Sequence, residues 1–433
     1  MRRRLGRWAV AAALTLAAAP AARAQNGARA AAAVAGEELT VSLITMGHGD
    51  AVWEMFGHNA IRVLDRSTGS DVAYNWGMFD FDQPNFLGRF LTGDTRYWMQ
   101  GIPTDLMVGV YAEGNRSVWE QELNLPPARR AALRDFLAWN EREENRYYRY
   151  DYYRDNCSTR VRDAIDLVAD SAIYRATADL PTGSTYRSQT RRLTRDALPV
   201  YTGIQLALGH PADRPISAWE AAFLPNELRK YARRATVAGP TGEAVPLVLA
   251  ERELFRATRG PEPSGPPDYT LYYLMAGLTV GAVISALSRP AARGGRAAAA
   301  GLAVVGGAWA LVAGLLGTAL LLAGTVTRHV YMARNENLLL VNPLLLVLAV
   351  ALPVALLLRR GAVVRLAART GAAVALLSSL AFLLKALPWF DQRNFELIAL
   401  FLPANLALAW AAARLAARVR PRAPAEADPD RRR

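Results

Sequence analysis

Hydrophobic and polar positions follow three regimes along this chain. From residue 36 to about 258, apolar side chains alternate with charges, aromatics and turn formers. From 269 to 413 they run together in long Ala/Leu/Val/Gly stretches, and at the extreme N-terminus a short apolar block stands alone behind arginines. In the first regime the residues after His58 alternate as in a half-buried strand. Arg66-Ser67-Thr68-Gly69-Ser70 reads as a hairpin turn, and 71–76 as the returning strand. Further on, Val161, Ile165 and Val168 recur at helical spacing, with Asp163 and Asp166 on other faces. A helix is therefore predicted to start after the turn-favouring pair Asp155-Asn156.

The apolar regime divides into five candidate spans: 269–287, a window within 297–325, 338–358, 371–387 and 395–413. Each approaches or exceeds the roughly 17–25 residues a membrane helix needs. Arginine marks alternate connections. Arg289, Arg293 and Arg296 follow the first span, and Arg359, Arg360, Arg365 and Arg369 follow the third. Arg414, Arg418, Arg420, Arg422 and the 431–433 tail follow the fifth. The other connections are poorer, with Arg328 and Arg334 in one, Lys385 and Arg393 in the other. The positive-inside rule makes the richer set cytoplasmic and puts the N-terminal domain outside.

The N-terminal block agrees. Arg2, Arg3, Arg4 and Arg7 precede an apolar run over 8–19, and Ala22-Arg23-Ala24 closes it, in the manner of a cleaved secretory signal peptide. The expected organisation is a signal peptide over 1–24, a linker over 25–36, and an exported domain over 37–260. A Pro-rich linker over 261–268, a transmembrane domain over 269–413 and an Arg-rich cytoplasmic tail over 414–433 follow. The protein is thus expected in the bacterial inner membrane, multi-pass, with its N-terminal domain in the periplasm.

The net charge of +13 then changes meaning. The arginines of the leader, the cytoplasmic connections and the tail outweigh it, so the exported domain is close to neutral. A nucleic-acid partner loses its support, because a binding domain should carry the basic patch itself.

Candidate chemistry rests on one cysteine and four histidines. Cys157 is the only Cys, and it falls in the exported domain, where structural cysteines are normally paired. It is an inert buried thiol, an intermolecular partner or a working nucleophile. Its position at a predicted helix start favours a thiolate and offers backbone N–H groups to an oxyanion. The histidines are His48, His58, His210 and His329. The hairpin after His58 brings Asn75 or its neighbours within reach of that imidazole as an orienting group. His48, in Gly47-His48-Gly49-Asp50, reads as a loop residue and His210, before Pro211, as a turn. His329 falls at the outer membrane interface.

Three segments together resemble the Lnb family of bacterial lipoprotein N-acyltransferases. They are Phe56-Gly57-His58-Asn59-Ala60, the run Tyr74-Asn75-Trp76-Gly77 with Phe79-Asp80-Phe81, and Tyr150-Asp151 with Asp155-Asn156-Cys157-Ser158-Thr159. The likeness continues through Leu208-Gly209, Asp213, Phe223-Leu224-Pro225, Asn335-Glu336-Asn337-Leu338 and Asn342-Pro343.

The resemblance implies an α+β papain-like, circularly permuted NlpC-type domain followed by an all-α bundle of about five membrane helices. It implies Cys157 as nucleophile, His58 as base and Asn75 as third member, with Asn156, Tyr150 and Trp76 contacting substrate. The implied partners are a phospholipid acyl donor and a diacylated lipoprotein acceptor, and no cofactor or metal is expected. The outward loops 328–337 and 385–394, with Tyr331 and Trp389 as interface aromatics, would help hold the cleft at the bilayer.

Two rivals carry other expectations. A thiol hydrolase acting on peptidoglycan or lipid esters would use the same pair, although a wall-cleaving enzyme does not need five membrane helices. The other rival is a non-catalytic receptor or transporter; against transport, Lys385 and Glu396 lie near the outer ends of their spans, whereas transporters commonly bury ionisable groups centrally.

Overall fold

The computed structural model describes residues 34–419. The expected signal peptide, most of the first linker and the end of the Arg-rich tail lie outside the described residues. The first strands form as the alternation predicts: β1 (Leu39–Met46), β2 (His58–Asp65) and β3 (Ser70–Met78) pair antiparallel in sequence. The β2–β3 turn closes because the Asp65 carboxylate accepts the Ser67 and Thr68 N–H groups at 2.8 and 3.3 Å. Gly69 there takes a left-handed φ of 76° that a side chain would strain.

An excursion carrying α1 (Phe86–Thr92) leads to β4 (Arg96–Pro103). Helix α2 (Thr104–Glu113), β5 (Val118–Leu123), α3 (Pro127–Glu141), β6 (Tyr147–Arg149) and α4 (Cys157–Val168) follow. Smaller pieces complete the domain: α5 (Ala172–Thr177), β7 (Pro181–Thr185), α6 (Tyr186–Thr194), α7 (Leu198–Ala207), β8 (Pro215–Ser217) and α8 (Ala218–Ala221). After them come α9 (Pro225–Ala232), β9 (Thr236–Ala238), β10 (Ala244–Pro246) and β11 (Val248–Phe255). The result is an α/β domain on a seven-stranded antiparallel sheet, ordered β11-β5-β1-β2-β3-β4-β6.

Val161, Ile165 and Val168 of α4 pack on one face of that sheet, against Leu39, Leu43, Ile61, Val63 and Trp76. Met107 and Tyr111 of α2 cover the other face, against Ile44, Met46, Ala60 and Ala73. Asp163 is exposed as expected, but Asp166 is buried. Its carboxylate accepts the Ile173 and Tyr174 N–H groups at 2.8 and 3.1 Å and so holds the first turn of α5.

Among the described residues five helical segments are long and apolar enough to cross a membrane: α10 (Thr270–Ala292), α11 (Arg296–Val326), the span Glu336–Leu358 that ends in α12 (Leu344–Leu358), α13 (Gly361–Leu383) and α14 (Phe395–Val419). The fourth starts ten residues earlier than the hydropathy predicts, so Arg365 and Arg369 lie within α13 rather than in a loop. Small residues permit close packing. A Cβ on Gly277 would meet the Leu400 carbonyl oxygen at 2.4 Å, and one on Gly317 the Asn342 nitrogen at 2.3 Å. Toward the middle of the bundle, Asn405 accepts from Trp309 Nε1 at 3.1 Å and donates to the Leu340 carbonyl at 2.9 Å, a neutral node with no ion pair.

The outer loops between spans are not free arms, because they dock the α/β domain. Asn335 Nδ2 donates to the Leu206 carbonyl at 2.7 Å, Asn337 Nδ2 to the Gln205 carbonyl at 3.1 Å, and Gly209 N to the Tyr331 carbonyl at 2.7 Å. Gln392 Nε2 donates to the Leu208 carbonyl at 3.2 Å, and Lys385 pairs with Glu336. Behind this seam Arg187 is ion-paired with Asp213 at 2.9 Å, both side chains fully buried, and also donates to the Leu208 and Gly209 carbonyls. Tyr331, expected as an interface aromatic, instead lies inside a cluster with Tyr153, Tyr186 and Phe223, whereas Trp389 is exposed. The Pro-rich connection runs across α6, where Arg192 donates to the Pro263 carbonyl at 2.8 Å and Arg191 to the Pro267 carbonyl at 2.9 Å.

Candidate active site

Cys157 is the first residue of α4, and the turn ahead of it is built to start a helix. Asn156 caps it. The Asn156 Oδ1 accepts the Ser158 and Thr159 N–H groups, both at 2.9 Å, and the Thr159 hydroxyl closes a capping box by accepting the Asn156 N–H at 2.8 Å. The remaining amide hydrogens of Asn156 go to the Tyr152 and Phe223 carbonyls, each at 3.0 Å. Every hydrogen-bonding position of that side chain is therefore committed to structure. Asn156, expected in the sequence to contact substrate, is placed as the cap of this buried helix start.

The sulfur sits where the sheet opens. Pairing between β2 and β3 ends at Ala60–Asn75, and β3 bulges between Trp76 and Met78, with Gly77 at a φ of 90°. The Asn59 N–H is turned toward the Cys157 sulfur. A Cβ on Gly77 would approach the Cys157 Cβ to 3.3 Å and the Tyr150 ring to 3.6 Å, so glycine keeps the space around the thiol open. A side-chain bond staples the two elements: the Ser158 hydroxyl lies 2.8 Å from Asn59 Oδ1. The residue after Cys157 and the residue after His58 are thus joined.

His58 opens β2 and lies over the α2 face, stacked on Tyr111 with centroids 6.2 Å apart. Its Nε2 is 3.1 Å from Asn75 Oδ1. Because the Asn75 amide nitrogen donates to the Ala73 carbonyl at 2.9 Å, its oxygen is the atom facing the ring. Nε2 must then carry the proton, which leaves Nδ1 as the basic nitrogen.

Burial governs the protonation of both groups. It pushes the Cys157 thiol up to about 11, while the Asn59 and Ser158 N–H groups and the Arg116 guanidinium pull the other way. His58 is held down at about 4, first by burial and then by Arg116, against the bond from Asn75. At neutral pH the site rests as a neutral thiol and a neutral imidazole, not as an ion pair.

Of the other positions anticipated in the sequence, Tyr150 lines the opening and stacks on Tyr97 at 4.4 Å. Trp76 does not line it. One residue from Asn75, it faces the opposite side of the sheet, is only 1 % exposed, and donates from Nε1 to Asn140 Oδ1 at 2.9 Å in the core against α4. His48 is a loop residue beside Arg259 and Arg116, with its pKa lowered mainly by burial. His210 lies in a single 3₁₀ turn and pairs with Asp391 at 2.7 Å. His329 is 2.9 Å from the Phe90 carbonyl and stacks near Tyr152 at 6.2 Å, which joins the loop leading to Cys157 with the outer end of α11.

Two residues that the sequence reading passed over belong here. Arg116 is buried, donates to the Gly47 carbonyl at 2.9 Å, lies 4.4 Å over the Tyr111 ring, and lowers the pKa of both Cys157 and His58. The Tyr148 hydroxyl is buried with no partner among the described residues and stands 3.9 Å from the Cβ position of Gly77. Burial raises its pKa far enough that it remains a donor. The oxyanion donors expected from the start of α4 are fewer than anticipated, since the cap takes the N–H groups of Ser158 and Thr159. The Cys157 and Asn59 N–H groups and the Tyr148 hydroxyl remain near the sulfur.

Residues 27–192, which carry Cys157, His58, Asn75, Arg116 and Tyr148, match the model of a family described as the Lnb N-terminal periplasmic domain. No curated protein matches the chain, and no solved structure does.

Proposed function

We propose, from the membership in the Lnb family that this match supports, that the chain is a membrane-bound cysteine acyltransferase. It moves a fatty acyl chain from a phospholipid to the α-amine of a diacylated lipoprotein. The observation that carries this reading is the placing of Cys157. The only cysteine of the chain stands at a capped helix start, its buried sulfur beside a bulge where Gly77 keeps the adjoining space free of a side chain, one residue from a serine bonded to the neighbour of His58. The order of elements, with the His strand before the Cys helix, fits a permuted papain-like arrangement.

The chemistry follows from the resting protonation states. As an ester carbonyl of the donor reaches the sulfur, His58 Nδ1 takes the thiol proton and a C–S bond forms. The carbonyl oxygen becomes an oxyanion facing the Cys157 N–H, the Asn59 N–H and the Tyr148 hydroxyl. The ester C–O bond then breaks, and the leaving lysophospholipid oxygen takes the proton from the imidazolium. In the second half the lipoprotein amine attacks the thioester. A C–N bond forms, the C–S bond breaks, and the amine's proton passes through His58 back to sulfur. Asn75 holds the imidazole in the tautomer both halves need. The cation of Arg116 favours thiolate, and Gly77 leaves room for the tetrahedral centre.

In this reading the domain faces the periplasm, the membrane is the inner membrane and the C-terminus is cytoplasmic. The five apolar helices and their docked loops keep the cleft at the bilayer surface. That arrangement suits a reaction whose donor and acceptor are both lipid-anchored, and in which an amine must outcompete water.

The test is incubation of the purified full chain with labelled phospholipid, with and without a synthetic diacylated lipopeptide. A hydroxylamine-sensitive acyl adduct on Cys157 that discharges onto the lipopeptide amine is expected. Free fatty acid as the dominant product would make the protein a lipid esterase, and absence of any adduct would remove the thiol mechanism.

A further inference from the structure

The excursion between β3 and β4 has no part in the chemistry above, yet it is the most apolar exposed stretch of the α/β domain. Helix α1 presents Leu87 and Leu91 at 66 % and 60 % exposure, and Phe81 and Phe90 are also exposed beside it. This surface is held at the level where the membrane helices end. The Arg328 N–H donates to the Thr92 carbonyl at 2.9 Å, Arg328 pairs with Asp94 at 2.8 Å, and His329 reaches the Phe90 carbonyl. Those partners directly follow the end of α11, whose last residue, Val326, is itself exposed. An apolar face fixed there meets lipid, not water.

From this face a continuous line of aromatic rings leads inward. Phe90 and Phe86 have centroids 6.2 Å apart, Phe86 and Phe79 6.2 Å, Phe79 and Tyr97 5.2 Å, and Tyr97 and Tyr150 4.4 Å. Tyr150 in turn borders Gly77 and Cys157. The rings pass from exposed to half-buried along the way. Three of the four steps are near-parallel, at 19°, 22° and 22°, and the Phe79–Tyr97 step is tilted at 35°, so the rings form a continuous apolar run.

We propose that this line is an acyl-chain track: α1 dips into the outer leaflet at Leu87 and Leu91, and one fatty acyl chain of a bilayer lipid lies along Phe86, Phe79, Tyr97 and Tyr150 with its carbonyl end at Cys157. The proposal rests on the acyl-transfer reading for the purpose of the track, though not for its occupancy. A flexible hydrocarbon chain is the ligand that fits, since the line offers apolar surface without charge.

The full chain with Cys157→Ala, in nanodiscs, is to be photolysed with phosphatidylethanolamine bearing a diazirine midway along one acyl chain. Labelled peptides are then mapped by mass spectrometry. Label on the peptides holding Phe79, Phe86, Tyr97 or Tyr150 is expected, falling at least fivefold in Leu87→Asp/Leu91→Asp. Leu249→Asp, an exposed substitution on β11, should leave the labelling unchanged. Label confined to α10–α14, or none at all, would overturn the track.

Because the photolysis needs binding and no chemistry, the two readings fail separately. A labelled track in a protein that forms no thioester keeps the track and removes acyl transfer. A thioester on Cys157 without label along these rings does the reverse.

Discussion

Two regions of this molecule bury polar groups in quantity, and they treat them differently. In the seam between the α/β domain and the outer loops, Arg187, Asp213, Asn335, Asn337 and Gln392 are tied to one another and to the backbone of 205–209. Around Cys157 the same economy holds for Asn156 and Asn75 but stops at the sulfur. There a Tyr148 hydroxyl without a partner among the described residues and the buried thiol both border Gly77, and His58 keeps a basic nitrogen beyond its bond to Asn75. The seam is nearly saturated, with Gln205 Nε2 and Asn394 Oδ1 the exceptions among the described residues, and such a network fixes geometry, whereas groups left short of partners beside a thiol are available to a ligand. The seam is thus read as the device that holds the domain at the bilayer, and the opening as the place where bonds change.

Substitutions in the two regions should separate along that line. The largest effect is expected for Cys157→Ala: no hydroxylamine-sensitive acyl adduct forms, while the protein stays in the membrane at normal abundance. Full transfer by this variant would end the thiol mechanism.

Asp213→Ala strikes the seam instead. It leaves Arg187 buried and unpaired, at a cost of about 3–5 kcal/mol. A lower melting temperature and reduced abundance should appear, with the surviving protein still acylated at Cys157. Normal stability with lost acylation would move the seam into the chemistry and erase the contrast.

His58→Ala should slow thioester formation on the order of 10²-fold or more, the range for losing a positioned base. Asn75→Ala should cost less, because the imidazole remains but its tautomer is no longer held. His48→Ala should cost least of the three. A reversal of His58 and His48 in single-turnover rates would put the base on the other loop.

The smallest effect is a pH profile. With the folded thiol raised from 9.0 to about 11, its thiolate is the minor form below that value. At neutral pH the fraction is on the order of a hundredfold lower than for an exposed cysteine. His58, lowered to about 4, is neutral throughout and lends no positive charge. Alkylation of Cys157 by iodoacetamide should therefore keep climbing above pH 9. A plateau between pH 5 and 8 would reveal a resting thiolate–imidazolium pair.

Much of this architecture was legible in local patterns. The five apolar spans, the hairpin after His58, the helix beginning at Cys157 and the family resemblance all depend on residues close together in the chain. Hydropathy windows, turn chemistry and caps act over that range. A local signal misled where the terminus of an element was in question, as at α13, whose basic first turns resemble a loop to a hydropathy window.

What only the tertiary structure decided is where each side chain points once distant segments meet. Trp76 and Asn75 are neighbours, but strand alternation and a bulge send one to the core and the other to His58. Asn156 is polar and adjacent to the thiol, yet four backbone partners, one of them Phe223, absorb it. Arg116, in the α2–β5 connection, and Tyr148, on β6, reach Cys157 from some forty and nine residues away, with no motif to announce them. Sequence patterns report the period of burial and the preferences of turns, both short-range quantities. The spare hydrogen-bonding capacity that makes a site reactive is what remains after long-range packing has claimed the rest.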